Sequence, residues 1–219
     1  MRRRTTFPQR PAGPARRAGL RRLLVRPSAC APTLGRLQAG PLFLPCALGR
    51  SGVTARKREG DGATPAGALR LLRAFWPAGG APRPRTGLPL RPLKPGDGWC
   101  DARGDRNYNR PVRLPYPASC ETMLRADGLY RLVVDLDWNR RSRAQGRGSA
   151  IFLHVARPKP PRAVAGGRGA FAPTEGCVAL AEPDLRRLLA RVGRGASLLV
   201  LRRGAAGPRM RGRSGRGAR

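Results

Sequence analysis

A single histidine, three lysines and the absence of any CxxC pair are the first constraints that this chain offers. Its five cysteines (Cys30, Cys46, Cys100, Cys120, Cys177) and His154 lack the ligand spacing of a structural zinc site, so neither a metal nor a cofactor is expected. No segment approaches the roughly 20 apolar residues of a membrane-spanning helix, which argues against an integral membrane protein. An ordinary export signal is not supported either. The N-terminal region is positively charged, but Leu20, Leu23, Leu24 and Val25 are interrupted by arginines, and no apolar stretch of about 7 to 15 residues follows. Aromatic residues make up 5% of the chain and do not interleave with basic ones, so a nucleic-acid binder would have few platforms for base stacking.

Positive charge, by contrast, is abundant. Lys+Arg number 45 against 12 Asp+Glu, a formal net charge of +33, and a field of that size attracts polyanions at low salt. Only Lys57, Lys94 and Lys159 are lysines, so 45 − 3 = 42 of the cations are arginines; with 29 Gly and 23 Pro, this fits a bias toward GC-rich codons. Arg2 to Arg26 and Arg202 to Arg219 contain no acid, and all twelve acids fall between Glu59 and Asp184. Residues 1–20 and 204–219 are dominated by Arg, Pro, Gly and Ala with little to bury, and are expected to be a disordered arm and a disordered tail. The remaining length suits one domain with a proper core, placed at 21–203, and a monomer is the expected state.

Along that domain, Leu23-Leu24-Val25, Leu37 and Leu42-Phe43-Leu44 read as short strands separated by Pro and Gly turns. Lys57 to Gly67 (KREGDGATPAG) reads as a shaped loop, and residues 77–97 as an irregular surface connection. Trp99 to Ser119 is dense in Asp, Asn, Tyr and Pro, which build rigid turns. Leu129–Asp137, Ile151–Val155, Cys177–Leu180 and Leu198–Leu201 read as strands. Pro183 to about Val192 reads as a helix, because Leu185, Leu188, Leu189 and Val192 share one stripe between a first-turn proline and Gly193. The tally is mainly β, with one or two short helices.

Chemistry converges on few residues. A thiol becomes a useful nucleophile when a base takes its proton, and an imidazole base here can only be His154. Cys177 lies 177 − 154 = 23 residues further on, after Gly176, and a residue without Cβ lets substrate reach the backbone donors of an oxyanion hole. Spacing alone leaves the bland alternative open: His154 as a satisfied buried histidine and Cys177 as a small core residue.

Five ordered segments resemble successive blocks of one family. They are PCALGRSGV (Pro45 to Val53), KREGDGATPAG, GWCDARGDRNYNRPVRLPYPAS (Gly98 to Ser119), GRGSAIFLH (Gly146 to His154) and PTEGCVAL (Pro173 to Leu180). In this order they resemble the L,D-transpeptidase catalytic-domain family, the YkuD-like proteins, over roughly residues 22 to 203. The resemblance implies a β-sandwich or cradle, Cys177 as nucleophile and His154 as general base. It implies Gly176 with Cys177 as oxyanion donors, and Thr174 and Glu175 at the substrate. It further implies attack on a peptidoglycan tetrapeptide stem, loss of the terminal D-alanine, and transfer of the thioester to the amine of a second stem, in the cell envelope or periplasm.

Three positions depart from the commoner family pattern. Val155 follows His154 where glycine is usual, Glu175 replaces a second histidine, and Ala179 stands where arginine usually sits. These differences leave recognition of the substrate carboxylate unassigned. Two other readings stay open at this level: hydrolysis on the same fold, as in an L,D-carboxypeptidase, and a non-catalytic basic module on nucleic acid or an acidic cell-wall polymer. The Lys159–Phe171 stretch, KPPRAVAGGRGAF, reads as a solvated loop or a substrate-guiding flap.

Overall fold

The computed structural model describes residues 19–159 and 171–204. The expected arm, apart from Gly19 and Leu20, the tail beyond Gly204, and residues 160–170 of the expected loop lie outside the described residues.

The chain is mainly β, as its patterning predicts. It opens with three antiparallel neighbours, β1 (Leu20–Pro27), β2 (Leu34–Ala39) and β3 (Leu42–Ala47). Two short strands follow, β4 (Val53–Thr54) and β5 (Thr64–Pro65), which pair in parallel and close the Lys57–Gly67 loop. Next comes β6 (Gly67–Pro77), then β7 (Leu90–Leu93), β8 (Asp97–Cys100), β9 (Arg110–Arg113) and β10 (Cys120–Thr122). The last stretch contains β11 (Val133–Leu136), β12 (Phe152–Val155), β13 (Val178–Leu180), α1 (Glu182–Leu189) and β14 (Val192–Val200).

The main sheet runs β11-β12-β13-β3-β2-β1-β14-β6-β7, and β6 pairs back onto β11, so eight of these strands close a circuit. Closure removes free edges and leaves an interior to be filled with side chains. Leu23, Val25, Leu37, Leu44, Leu69, Leu71, Val134, Leu153, Val178, Leu198 and Val200 fill it. The α1 stripe of Leu185, Leu188 and Leu189 joins the same core. Glu182 and Asp184 in the first turn of α1, and Arg186 and Arg187 in its last, complement the helix dipole.

One part of this barrel wall is buried on both faces, and there the site forms. Leu132, Val134, Leu136, Leu153, Val178 and Leu180 point into the main core. Their alternate neighbours Val133, Phe152 and Cys177 point outward, under a second layer built from Phe75, Leu93, Trp99, Met123 and Tyr130. Trp99 comes from the small β10-β8-β9 sheet and meets Phe152 edge-on with ring centroids 4.9 Å apart. Double burial explains why β11 is apolar on successive residues rather than alternating.

Three expectations need correction. The longest strand, β6, lies largely over residues 68–76, for which no element was expected; it reads Ala-Leu-Arg-Leu-Leu-Arg-Ala-Phe-Trp, with β14, β11 and β7 on its flanks. Residues 77–97 are not only surface connection, since β7 pairs with β6 and Leu88 and Leu93 are buried. The helix stops at Leu189, and Val192, expected on its stripe, opens β14, where Gly193 packs against the backbone of Gly19. Parallel pairing with β1 won the residues that periodicity assigned to a helix end.

Candidate active site

Residues on β12 and at the start of β13 bring His154 and Cys177 to one surface. The strands are parallel with Leu153 opposite Val178 and His154 opposite Ala179, so Cys177 falls in register with Phe152. Because neighbours in register share a face, Cys177 and His154 are diagonal neighbours on the outer side of the wall. Both line a cleft of about 540 Å³, together with Lys57, Glu59, Asp101, Glu121, Arg125, Tyr130, Arg157 and Glu175.

The resting pair is neutral. Cys177 is 8% exposed; its Sγ accepts the N–H of Phe152 and its S–H donates to the carbonyl of Ala150, each at 3.3 Å. Burial pushes the thiol up to about 12 against the opposing pull of the Phe152 N–H and the Lys57 charge. His154 is 7% exposed, and burial pushes its imidazole down to about 4. Its Nδ1 lies 2.8 Å from the carbonyl of Val155. A carbonyl only accepts, so Nδ1 holds the proton and Nε2 is left as the basic nitrogen. The Tyr130 ring meets the imidazole edge-on at 5.4 Å and restricts its tilt.

The loop before Cys177 is held from behind. Thr174 Oγ1 donates to the carbonyl of Cys177 at 2.7 Å and accepts the Gly176 N–H at 3.2 Å. Thr64, from the Thr-Pro step of the loop motif, is fully buried; its Oγ1 also donates to the Cys177 carbonyl, at 3.3 Å, and accepts the Gly49 N–H at 2.8 Å. The motif thus clamps the backbone under Cys177. Gly176 has φ +138, and a Cβ there would stand 3.0 Å from the Ala63 carbonyl and 3.3 Å from Ile151 Cδ1. Gly176→Ala is expected to lose about 1–3 kcal/mol of stability, read from the urea midpoint, with the Cys177 loop displaced. Glu175 projects to the cleft mouth and pairs with Arg50 at 2.7 Å, an exposed contact of little energetic weight.

Lys57 is the residue that sequence reading passed over. It is 3% exposed, donates to the Arg58 carbonyl at 3.1 Å, and pairs with Asp61. Its stem passes between two glycines of positive φ: a Cβ at Gly148 would meet it at 3.0 Å, and one at Gly176 would lie 3.4 Å from Nζ. A lysine among 42 arginines was the available signal; beside two such close glycine positions a compact ammonium on a slim stem is easier to seat than a planar guanidinium. Glu121, Arg125 and Tyr130 form a second group: Tyr130 donates to Glu121 at 2.6 Å, and Arg125 pairs with Glu121 at 3.3 Å and Asp127 at 2.6 Å. Arg157 also reaches Asp127, at 3.2 Å, with 59% of its side chain exposed. Ala179 is fully buried against Ala47 and Ala156, which leaves no room for a long side chain at that position.

A family model described as L,D-transpeptidase catalytic domain, YkuD, matches residues 33–200. The chain belongs to the YkuD family. No curated protein and no solved structure matches it. The YkuD match spans every strand from β2 to β14 and both residues of the Cys177–His154 pair. Among the described residues of this YkuD domain, no group of three or more His, Cys, Asp or Glu could hold a metal ion, and no helix is long and apolar enough to cross a membrane.

Proposed function

We propose that the chain is a cysteine-dependent L,D-transpeptidase that acts on peptidoglycan stem peptides in the cell envelope. The carrying observation is the placement of Cys177 Sγ and the imidazole of His154 on one face of a paired strand ladder, in a cleft that Lys57 also lines. His154 Nε2 takes the thiol proton as Sγ attacks the stem carbonyl, and the same proton then passes to the departing D-amino acid amine. A second amine attacks the resulting thioester and restores the thiol.

Since Gly176 N–H is engaged by Thr174, the Cys177 N–H is the oxyanion donor in this reading, and Gly176 serves by its shape. Lys57 is the fixed cation beside the developing thiolate. Arg157, the more exposed of the two arginines that line the cleft, takes the substrate carboxylate in place of an arginine at position 179. Four of the chain's twelve acids (Glu59, Asp101, Glu121, Glu175) line the same cleft and attract the acceptor as an ammonium; His154 Nε2, freed by the departure of the first amine, takes its proton before the attack and returns it to the Cys177 thiolate, which favours transfer over hydrolysis.

Incubation with a tetrapeptide stem, followed by intact-mass measurement, tests this. The expected result is a thioester on Cys177, absent from Cys177→Ala, and a cross-linked dimer of stems. A free tripeptide without the dimer would point to hydrolysis. A wild-type protein that forms no adduct and no product would overturn the enzymatic reading.

A further inference from the structure

Cys100 and Cys120 stand opposite each other on β8 and β10. The hydrogen-bond parity of that antiparallel ladder sets their approach. Asp101 N–H donates to the Ser119 carbonyl at 3.3 Å, and Met123 N–H donates to the Asp97 carbonyl at 2.9 Å. Hydrogen-bonded and non-hydrogen-bonded pairs alternate along such a ladder, so Cys100–Cys120 occupies a non-hydrogen-bonded position. Cα atoms there are about 4.5 Å apart with side chains leaning together, within the roughly 4.4–6.8 Å that a disulfide spans. Cys46, in contrast, faces Gly35 across its ladder.

The two thiols lie behind the cleft, not in it. Trp99 packs on Phe152, while Asp101 and Glu121 line the cleft; these alternate with Cys100 and Cys120, whose side chains therefore take the other face of the ladder. Cys100 is fully buried and its thiol is raised by that burial, whereas Cys120 is partly exposed.

We propose that Cys100 and Cys120 form a dithiol site that is oxidised to an intrachain disulfide by exchange with an external disulfide. Cys120, the reachable thiol, attacks a sulfur of the oxidant and releases one thiol. Cys100 then attacks the Cys120 sulfur of the mixed disulfide and releases the second. Two protein thiols are oxidised, one external disulfide is reduced to two thiols, and no proton is gained or lost overall. The bond ties together the strands that present Asp101 and Glu121 to the cleft, and it requires nothing of Cys177.

Reduced protein equilibrated over a range of glutathione to glutathione-disulfide ratios, acid-quenched, alkylated in denaturant and mapped without reduction, tests the site. Alkylation of Cys100 and Cys120 should be lost together, with one cross-linked peptide that joins them and weighs two hydrogens less than its halves. Cys120→Ser should leave Cys100 alkylated at every ratio. The oxidised protein should melt at a higher temperature than the reduced one. Cys100 and Cys120 that stay alkylatable throughout, or that pair with Cys30 instead, overturn the proposal. So does a lower melting temperature on oxidation, because it would mean that closing the bond distorts the ladder.

Discussion

His154→Gln is expected to slow thioester formation on Cys177 by about a hundred-fold to ten-thousand-fold at pH 7, the usual contribution of a positioned base. The reason is the neutral resting state. With the thiol pushed up to about 12 and the imidazole down to about 4, there is no preformed ion pair, and the proton must move as the bond forms. Time-resolved intact mass with the stem peptide reads the rate. Wild-type acylation should persist on the acid side until pH falls toward 4, since the basic form of His154 dominates above that value.

The same burial links His154 to stability, with a sign that can be worked out. A lowered folded value means that the unfolded chain binds the proton first, so stability contributed by neutral His154 is intact above about 6.5 and is lost as pH falls toward about 4. Urea midpoints of wild type and His154→Gln should therefore converge or cross over that window. A constant difference between them across the window would mean that His154 is not buried in neutral form.

Lys57→Met is expected to have the second large effect, on two measurements at once. Lys57→Met leaves Asp61, whose side chain is 24% exposed, without its ion-pair partner at a cost of about 1.5–3 kcal/mol, the range for hydrogen bonds to charged groups; Asp61 keeps the N–H groups of Arg58 and Ala63 at 2.8 and 2.9 Å. The Lys57 charge also holds the Cys177 thiol lower than burial alone would leave it. Without it, alkylation of Cys177 should slow by a few-fold at any pH below the thiol's titration, because the smaller thiolate share is partly offset by the greater nucleophilicity of a more basic thiolate. Lys57→Arg should not rescue either property, because Gly148 and Gly176 leave a passage for a narrow stem. Normal alkylation in a stable Lys57→Met protein would remove Lys57 from the mechanism.

Local chemistry was legible wherever one residue type has one use. A solitary histidine after an apolar strand, a glycine before a cysteine and a Thr-Pro step in a glycine-rich loop were visible as spelling; the strands at His154 and after Cys177 formed where expected, whereas Thr64–Pro65, read as loop, pairs as β5. Their purpose was less visible. Thr64 acts on a carbonyl 113 residues away, and nothing near it in the chain announces the contact. Lys57 was conspicuous only as a rare lysine, because its role depends on two glycines brought to it from positions 148 and 176.

By itself, then, the sequence determined which residues are able to do chemistry, and that the chain is mainly β: side-chain type and short-range patterning are local properties. The closed circuit of β6 onto β11, the second layer that roofs Cys177, and the facing of Cys100 by Cys120 were decided by the tertiary structure alone. Each depends on strand register between distant segments, and a slip of one residue would turn every side chain to the opposite face. The shifted thiol and imidazole follow from that same register, since they are properties of burial and not of the residues that carry them.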